Sequence, residues 1–177
     1  MASVVTTRRV HGAEEAAAVG GDEFREAMSR IGAAVHIVTT AGPAGRAGAT
    51  MTAVTSVSDA PPTLLVCINR GGRLATVLRG NGLFAVNTLV AGDEELAGIF
   101  AGKGGLDHDA RFGHGRWTTG ALGAPVLVGA RAVLECRVGE VSDVGSHAVV
   151  FGHVEAVRLG AAAPALLYVD RGYRVLP

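Results

Sequence analysis

The chain is divided into short β-branched runs that never alternate with helices in a regular way, and this pattern narrows the architecture more than any other feature. Residues 33–40, 48–58, 63–69, 83–89, 131–141, 147–158, 165–169 and 173–176 read as extended, bounded by Gly, Pro and Asn clusters. Three stretches carry helical spacing. Phe24, Met28 and Ile31 recur behind an Asp22 N-cap with Gly32 as the stop, residues 73–78 are closed by Gly80-Asn81-Gly82, and residues 93–100 form an amphipathic segment. Strands outnumber helices and no strand–helix–strand unit repeats, so a closed or split antiparallel barrel is expected rather than a doubly wound sheet. Residues 41–47 read as a hairpin loop. Residues 101–117 are Gly-rich and polar without a period, and loops of that length are usually functional or mobile. Residues 1–20 lack periodicity and read as a flexible tail, leaving residues 21–177 as one domain.

A chain of 177 residues with 49% hydrophobic content can bury one real core. Lys plus Arg equals Asp plus Glu at 16 each, so no basic footprint exists for a nucleic-acid backbone and nucleic acid is disfavoured as a partner. No apolar run approaches the roughly 20 residues of a membrane helix, so no membrane association is expected. Arg8 and Arg9 are not followed by a signal-peptide core, and a cytoplasmic address is expected. Cys67 and Cys136 sit in apolar strand-like runs without a C-x-x-C spacing; both read as small core residues, with a disulfide the lesser alternative.

The usual catalytic fingerprints are missing. Despite 26 glycines there is no G-x-G-x-x-G run for a Rossmann site, no phosphate-binding P-loop and no G-x-S-x-G elbow; Gly145-Ser146-His147 has neither spacing. His108 and His114 share a loop with Asp107 and Asp109, a weak candidate metal site against which a solvated loop is favoured, so no metal is assigned. Residues 48–58, Gly-Ala-Thr-Met-Thr-Ala-Val-Thr-Ser-Val-Ser, are more telling. Small, hydroxyl-rich and β-branched, they suit an extended strand that offers backbone and short polar groups to a flat ligand, although taken alone such a strand is more often an edge or half-buried one.

Five pieces, in order over roughly 150 residues, carry a family resemblance. They are this strand with Asp59-Ala60-Pro61-Pro62 and the following apolar run, Phe84-Ala85-Val86-Asn87-Thr88-Leu89, Asp109-Ala110-Arg111-Phe112 before Trp117, Gly145-Ser146-His147, and Tyr168-Val169-Asp170-Arg171-Gly172-Tyr173. Together they resemble the flavin reductase-like family, the small partners of two-component flavin monooxygenases. Within it, residues 28–40, Gly42 to Gly48 and Asn69-Arg70-Gly71 are most similar to the pyrimidine-utilisation branch. The resemblance implies a mainly β, split Greek-key barrel with a few short helices that binds FMN, or FAD, at a homodimer interface. It also implies reduction of that flavin by NADH or NADPH and release of the product to a monooxygenase.

The same resemblance implies site residues. Thr50, Met51 and Thr52 would meet the flavin ring and ribityl chain, and Ser56, Val57 and Ser58 its edges and phosphate. Asn69 and Arg70 lie at the family's phosphate turn, where a guanidinium suits phosphate oxygens. Here the chain departs from the pattern, because Gly71-Gly72-Arg73 replaces the usual hydroxyl residues, trading hydroxyls for a second cation at Arg73. His147 stands on the nicotinamide side, where it can donate to a carboxamide or move a proton near neutral pH, with a turn-capping role as the alternative. Arg171 and Tyr173 match the terminal pair that closes the pocket. Arg111 and Phe112 match as well, and a packed loop anchor explains them equally. Two other readings stay open: a barrel that holds flavin or a tetrapyrrole without turnover, and an oxygenase on the same barrel.

Overall fold

The computed structural model describes residues 19–177, so most of the expected tail at residues 1–20 lies outside the described residues. In chain order the elements are α1 (Gly21–Ser29), β1 (Ala33–Ala34), β2 (His36–Gly42), β3 (Gly45–Met51), β4 (Val54–Asp59), β5 (Pro62–Asn69), α2 (Arg73–Asn81), β6 (Leu83–Thr88), α3 (Glu94–Phe100), α4 (His108–Arg111), β7 (Trp117–Thr119), β8 (Pro125–Leu127), β9 (Ala132–Val144), β10 (His147–Leu159), β11 (Ala165–Val169) and β12 (Gly172–Leu176). Every pairing is antiparallel, as the lack of a strand–helix rhythm requires.

Seven strands form the main sheet in the order β3-β2-β6-β9-β10-β5-β4. Its two terminal strands, β3 and β4, are consecutive in the chain and separated only by Thr52 and Ala53. A two-residue link cannot span an open seven-stranded sheet, whose strands lie roughly 4.8 Å apart, so the sheet must curl until its ends meet. The ends are not hydrogen-bonded to each other, which leaves a barrel split at the link. The single strand expected over residues 48–58 is therefore two strands, one at each edge of the split. Residues 33–40 also divide, because β1 leaves the main sheet to pair with β11 in a three-stranded sheet with β12.

Alternate residues of the same strands feed two cores. Val38, Val66, Phe84, Val86, Cys136 and Val150 pack with Leu74, Val77 and Leu78 of α2. On the other face, Ile37, Ala85 and Val133 pack under Phe100 of α3, Phe112, Val126 and Leu166. This explains why β2 is buried on both faces instead of alternating. Phe100, Phe112 and Trp117 meet with centroids 5.1 to 5.3 Å apart, pinning the segment after α3 to the barrel. That segment, expected to be a loop throughout, contains α4 and runs into the β7–β8 hairpin. Asp107 caps α4 by accepting from the Ala110 N–H at 2.8 Å.

Local chemistry moved several boundaries. The hairpin loop expected over residues 41–47 shrinks to Pro43-Ala44, because Asn81 braces it: its Oδ1 accepts from Ala44 N–H and its Nδ2 donates to the Gly45 carbonyl and the Thr40 hydroxyl. Helix α2 continues to Asn81 for the same reason and stops at Gly82, whose φ of 68° is left-handed. The expected Asp22 cap of α1 is instead the uncapped Gly20, with Asp22 and Glu23 in the first turn, where their charge suits the helix dipole. The apolar stripe of α1 is real but uncovered among the described residues, with Phe24 59% and Met28 47% exposed.

Candidate active site at the barrel split

The split leaves the Thr50, Met51 and Thr52 backbone without a strand neighbour on one side, and two cavities open against it. One, of about 350 Å³, is lined by Thr50, Met51, Thr52, Asn69, Arg73 and His147 among others. The second, of about 240 Å³, has the same three residues as one wall and Tyr168 and Tyr173 as the other. The three residues expected to form a cofactor floor thus form a partition with a cavity on each side. The larger space is within the roughly 300–1,000 Å³ range of ligand pockets. Its floor of small side chains and free backbone suits a flat ring. Thr50 spends its hydroxyl proton on the Ala97 carbonyl of α3 at 2.7 Å, so toward a ligand its Oγ1 acts as an acceptor.

The far wall is built by strand register. Pairing of β5 with β10 places Asn69 opposite His147, and the turns beyond them lock together through Arg70 N–H on the Ser146 carbonyl at 3.0 Å. Asn69 shapes its own turn, its Oδ1 accepting from Gly71 N–H and its carbonyl from Gly72 N–H. His147 is exposed at the cavity rim, its Nδ1 2.9 Å from the Ser146 hydroxyl, which orients the ring. Tyr173 faces Tyr168 across the β11–β12 hairpin with ring centroids 5.5 Å apart, and burial pushes its phenol pKa up.

Other expected site residues stand elsewhere. Arg70 is drawn to Asp143 at 3.5 Å and donates to the Gly145 carbonyl at 3.1 Å, lining a separate hollow with Arg79. Ser56, Val57 and Ser58 sit on edge strand β4, outside both cavities, and Ser58 Oγ accepts from Ala60 N–H. Arg171 lies at the tip of the β11–β12 turn, paired with Glu26 of α1 at 3.0 Å. Asp170 and Arg171 both have left-handed φ, 49° and 57°, a type of turn that twists with its strands but strains a non-glycine residue.

Three lining residues with polar or ionisable side chains were not singled out by sequence reasoning as site residues. Tyr168 was legible, because it pairs directly with Tyr173. Cys67, expected in the core with Cys136, is half-buried and lines the larger cavity; both thiols are free. Cys136 is buried, which raises its pKa to about 12. His108, read as part of a solvated loop, is half-buried against the larger cavity, and its Nδ1 is enclosed without a hydrogen-bond partner. The Asp107 cap was the signal that this segment is ordered. Arg111 fixes it from behind by donating to the Leu106, Phe100 and Gly48 carbonyls.

Comparison with known proteins agrees with this geometry. Residues 28–177 match the flavin reductase like domain. The FMN reductase (NADH) RutF of Ancylobacter novellus is 46% identical over 165 residues, covering 93% of this chain and 90% of that one. Among solved structures, BorF, the flavin reductase component of a bacterial two-component tryptophan halogenase, superposes with a TM-score of 0.83 at 29% identity over 89% of this chain and 99% of that one. The Streptomyces globisporus NADH:FAD oxidoreductase SgcE6, solved with NAD and FAD fragments, gives 0.79 at 29% identity over 86% and 90%. A split barrel with its pocket at the split, matched over most of its length, leaves one assignment: this chain belongs to the flavin reductase-like family.

Proposed function

We propose that the chain reduces FMN with hydride from NADH and supplies the reduced flavin to a separate monooxygenase. The observation that carries this reading is the partition of residues 50–52 with a cavity on each face, one bordered by His147 and the other by Tyr173. Relatives named FMN reductase (NADH) at 46% and 51% identity support the choice of FMN and NADH. Bound flavin would take hydride directly from the nicotinamide, so the protein has little acid–base chemistry to supply. Its residues position and shield. The small floor lets two rings approach to contact distance, His147 offers a donor at the rim, and the Tyr168–Tyr173 pair closes the opposite side against water.

Completion of the site calls for a second subunit. Val57 on edge strand β4, Val157 and Leu159 on β10, and the α1 stripe expose apolar surface that the described residues leave uncovered, and symmetric pairs are the commonest soluble oligomers. A homodimer would bring β4, with Ser56 and Ser58, to a neighbour's pocket. Light scattering at about twice the 17.9 kDa chain mass is the expected outcome, and a fully active monomer would refute it. Reduced flavin leaves by diffusion, in the cytoplasm where NADH is available. No helix among the described residues is long and apolar enough to cross a membrane.

NADH oxidation that requires added FMN is the direct test. FMN binding without oxidation would instead make this a binding protein, and consumption of an organic substrate without a partner would make it an oxygenase. His147→Ala is expected to slow flavin reduction in stopped flow while flavin affinity stays near wild type.

A further inference from the structure

We infer that Ser146 is the positioning residue of His147: its hydroxyl donates to the ring Nδ1 and so keeps the proton on Nε2, the nitrogen left for a ligand at the cavity rim. Arg70 holds the turn on which this contact depends. The inference rests on the flavin reductase reading and adds to it what makes His147 a donor.

A neutral imidazole carries its proton on one nitrogen, and only that nitrogen can donate. For His147 to donate through Nε2, its Nδ1 must accept, and the hydrogen bond at Nδ1 selects that form. Ser146 Oγ lies 2.9 Å from this Nδ1, and among the described residues neither side chain has another hydrogen-bond partner. The hydroxyl proton is therefore free to go to the ring. Both residues are exposed, so the contact contributes little to folding. Its consequence falls on the ring, which borders the larger cavity.

The side chains of sequence neighbours meet only when the backbone between them is held. Strand β9 ends at Val144 and β10 begins at His147, so Gly145-Ser146 is a two-residue hairpin loop. Gly145 enters it with a φ of 55°, which glycine takes without strain. Both loop carbonyls are bound by Arg70: its backbone N–H donates to Ser146 at 3.0 Å and its Nη1 to Gly145 at 3.1 Å. Arg70 is itself fixed, its Nε 3.5 Å from Asp143, which also pairs with Arg79 of α2. These three charged residues line a hollow of their own and not the larger cavity, so Arg70 acts on that cavity through the turn. With the loop held, the freedom left at the rim is rotation of the His147 ring, and the Ser146 hydroxyl removes it.

The test follows flavin reduction by NADH in stopped flow, with FMN affinity read separately by flavin fluorescence. Ser146→Ala should slow reduction about threefold to tenfold, the span of one net hydrogen bond, and change FMN affinity less than about twofold. Ser146→Thr keeps the hydroxyl and should restore the rate. In a His147→Ala background Ser146→Ala should slow reduction no further, because its effect passes through the ring. A wild-type rate in Ser146→Ala, the same loss in both backgrounds, or no rescue by threonine would each overturn the inference. Arg70→Ala should slow reduction of FMN and riboflavin equally; a loss confined to FMN would make Arg70 a phosphate ligand and remove it as the brace. Nitrogen-15 spectra at pH 8.5, with His147 assigned by its loss in His147→Ala, read the tautomer without turnover. They should show the Nε2-protonated form in the wild type and a mixture in Ser146→Ala, and an Nδ1-protonated wild type would overturn the inference. Absence of NADH oxidation with every flavin would count against the reductase reading, while the spectra still decide whether Ser146 sets the ring.

Discussion

Replacing Asn87 with alanine should cost more stability than any solvent-facing change near the site. Asn87 is fully buried on β6 and uses both ends of its amide. Nδ2 donates to the Ile37 carbonyl at 3.0 Å and to Thr39 Oγ1 at 3.2 Å, while Oδ1 accepts from the Leu127 N–H at 2.8 Å. One side chain therefore ties β2, β6 and β8 together. After truncation Thr39 keeps its bond to the Pro125 carbonyl, but the Leu127 N–H and the Ile37 carbonyl lose this partner. An unsatisfied buried N–H costs roughly 1–3 kcal/mol, and the under-satisfied carbonyl and small void add about 1 kcal/mol or so, which sums to about 3 kcal/mol. Asn87→Asp keeps the acceptor for Leu127 but turns a carboxylate toward the Ile37 carbonyl, so it should be no better. Urea denaturation followed by circular dichroism measures both. Because Leu127 pairs with Trp117, FMN affinity should weaken along with stability as the α4 segment loosens. A loss below about 1 kcal/mol with an unchanged m-value would refute the reasoning.

Two further outcomes follow from the structure. His36 is half-buried beside Thr88 with its pKa lowered to about 4 by desolvation, so the unfolded chain takes up this proton first as pH falls. Its contribution is flat above pH 6.5 and then erodes stability by up to about 2–3 kcal/mol on the way to pH 4; urea midpoints for wild type and His36→Gln should diverge in that window, and parallel curves would disprove it. Gly152→Ala would set a β-carbon 2.4 Å from Phe84 Cζ and 2.8 Å from Cys136 Cβ in the barrel core. Overpacking of that kind costs about 1–3 kcal/mol, and an unchanged melting temperature would show that Phe84 can move aside.

Much of the architecture was written locally. Short β-branched runs closed by Gly and Pro make strands whatever surrounds them, and the absence of a repeating helix made antiparallel pairing the economical solution. Residues 50–52, Asn69 and His147 could be picked out from the chain because they lie in contiguous motifs, although the two cavities bordering residues 50–52 could not. What the chain could not state is which distant segments meet. The break at Thr52-Ala53 has no local signal: it exists because a curled seven-stranded sheet brings its first and last strands together at that link. Arg70 and Arg73 look alike three residues apart, yet register with the β9–β10 turn gives Arg70 a carboxylate partner and leaves Arg73 facing the cavity. His108 looked solvated because its neighbours in sequence are polar. Its burial comes from the Phe100, Phe112 and Trp117 cluster, which presses α4 onto β3. Strand propensity and turn chemistry act over a few residues, whereas side-chain partners are chosen by closure of the barrel, and that choice separates the cation given a carboxylate partner from the one that lines the cavity.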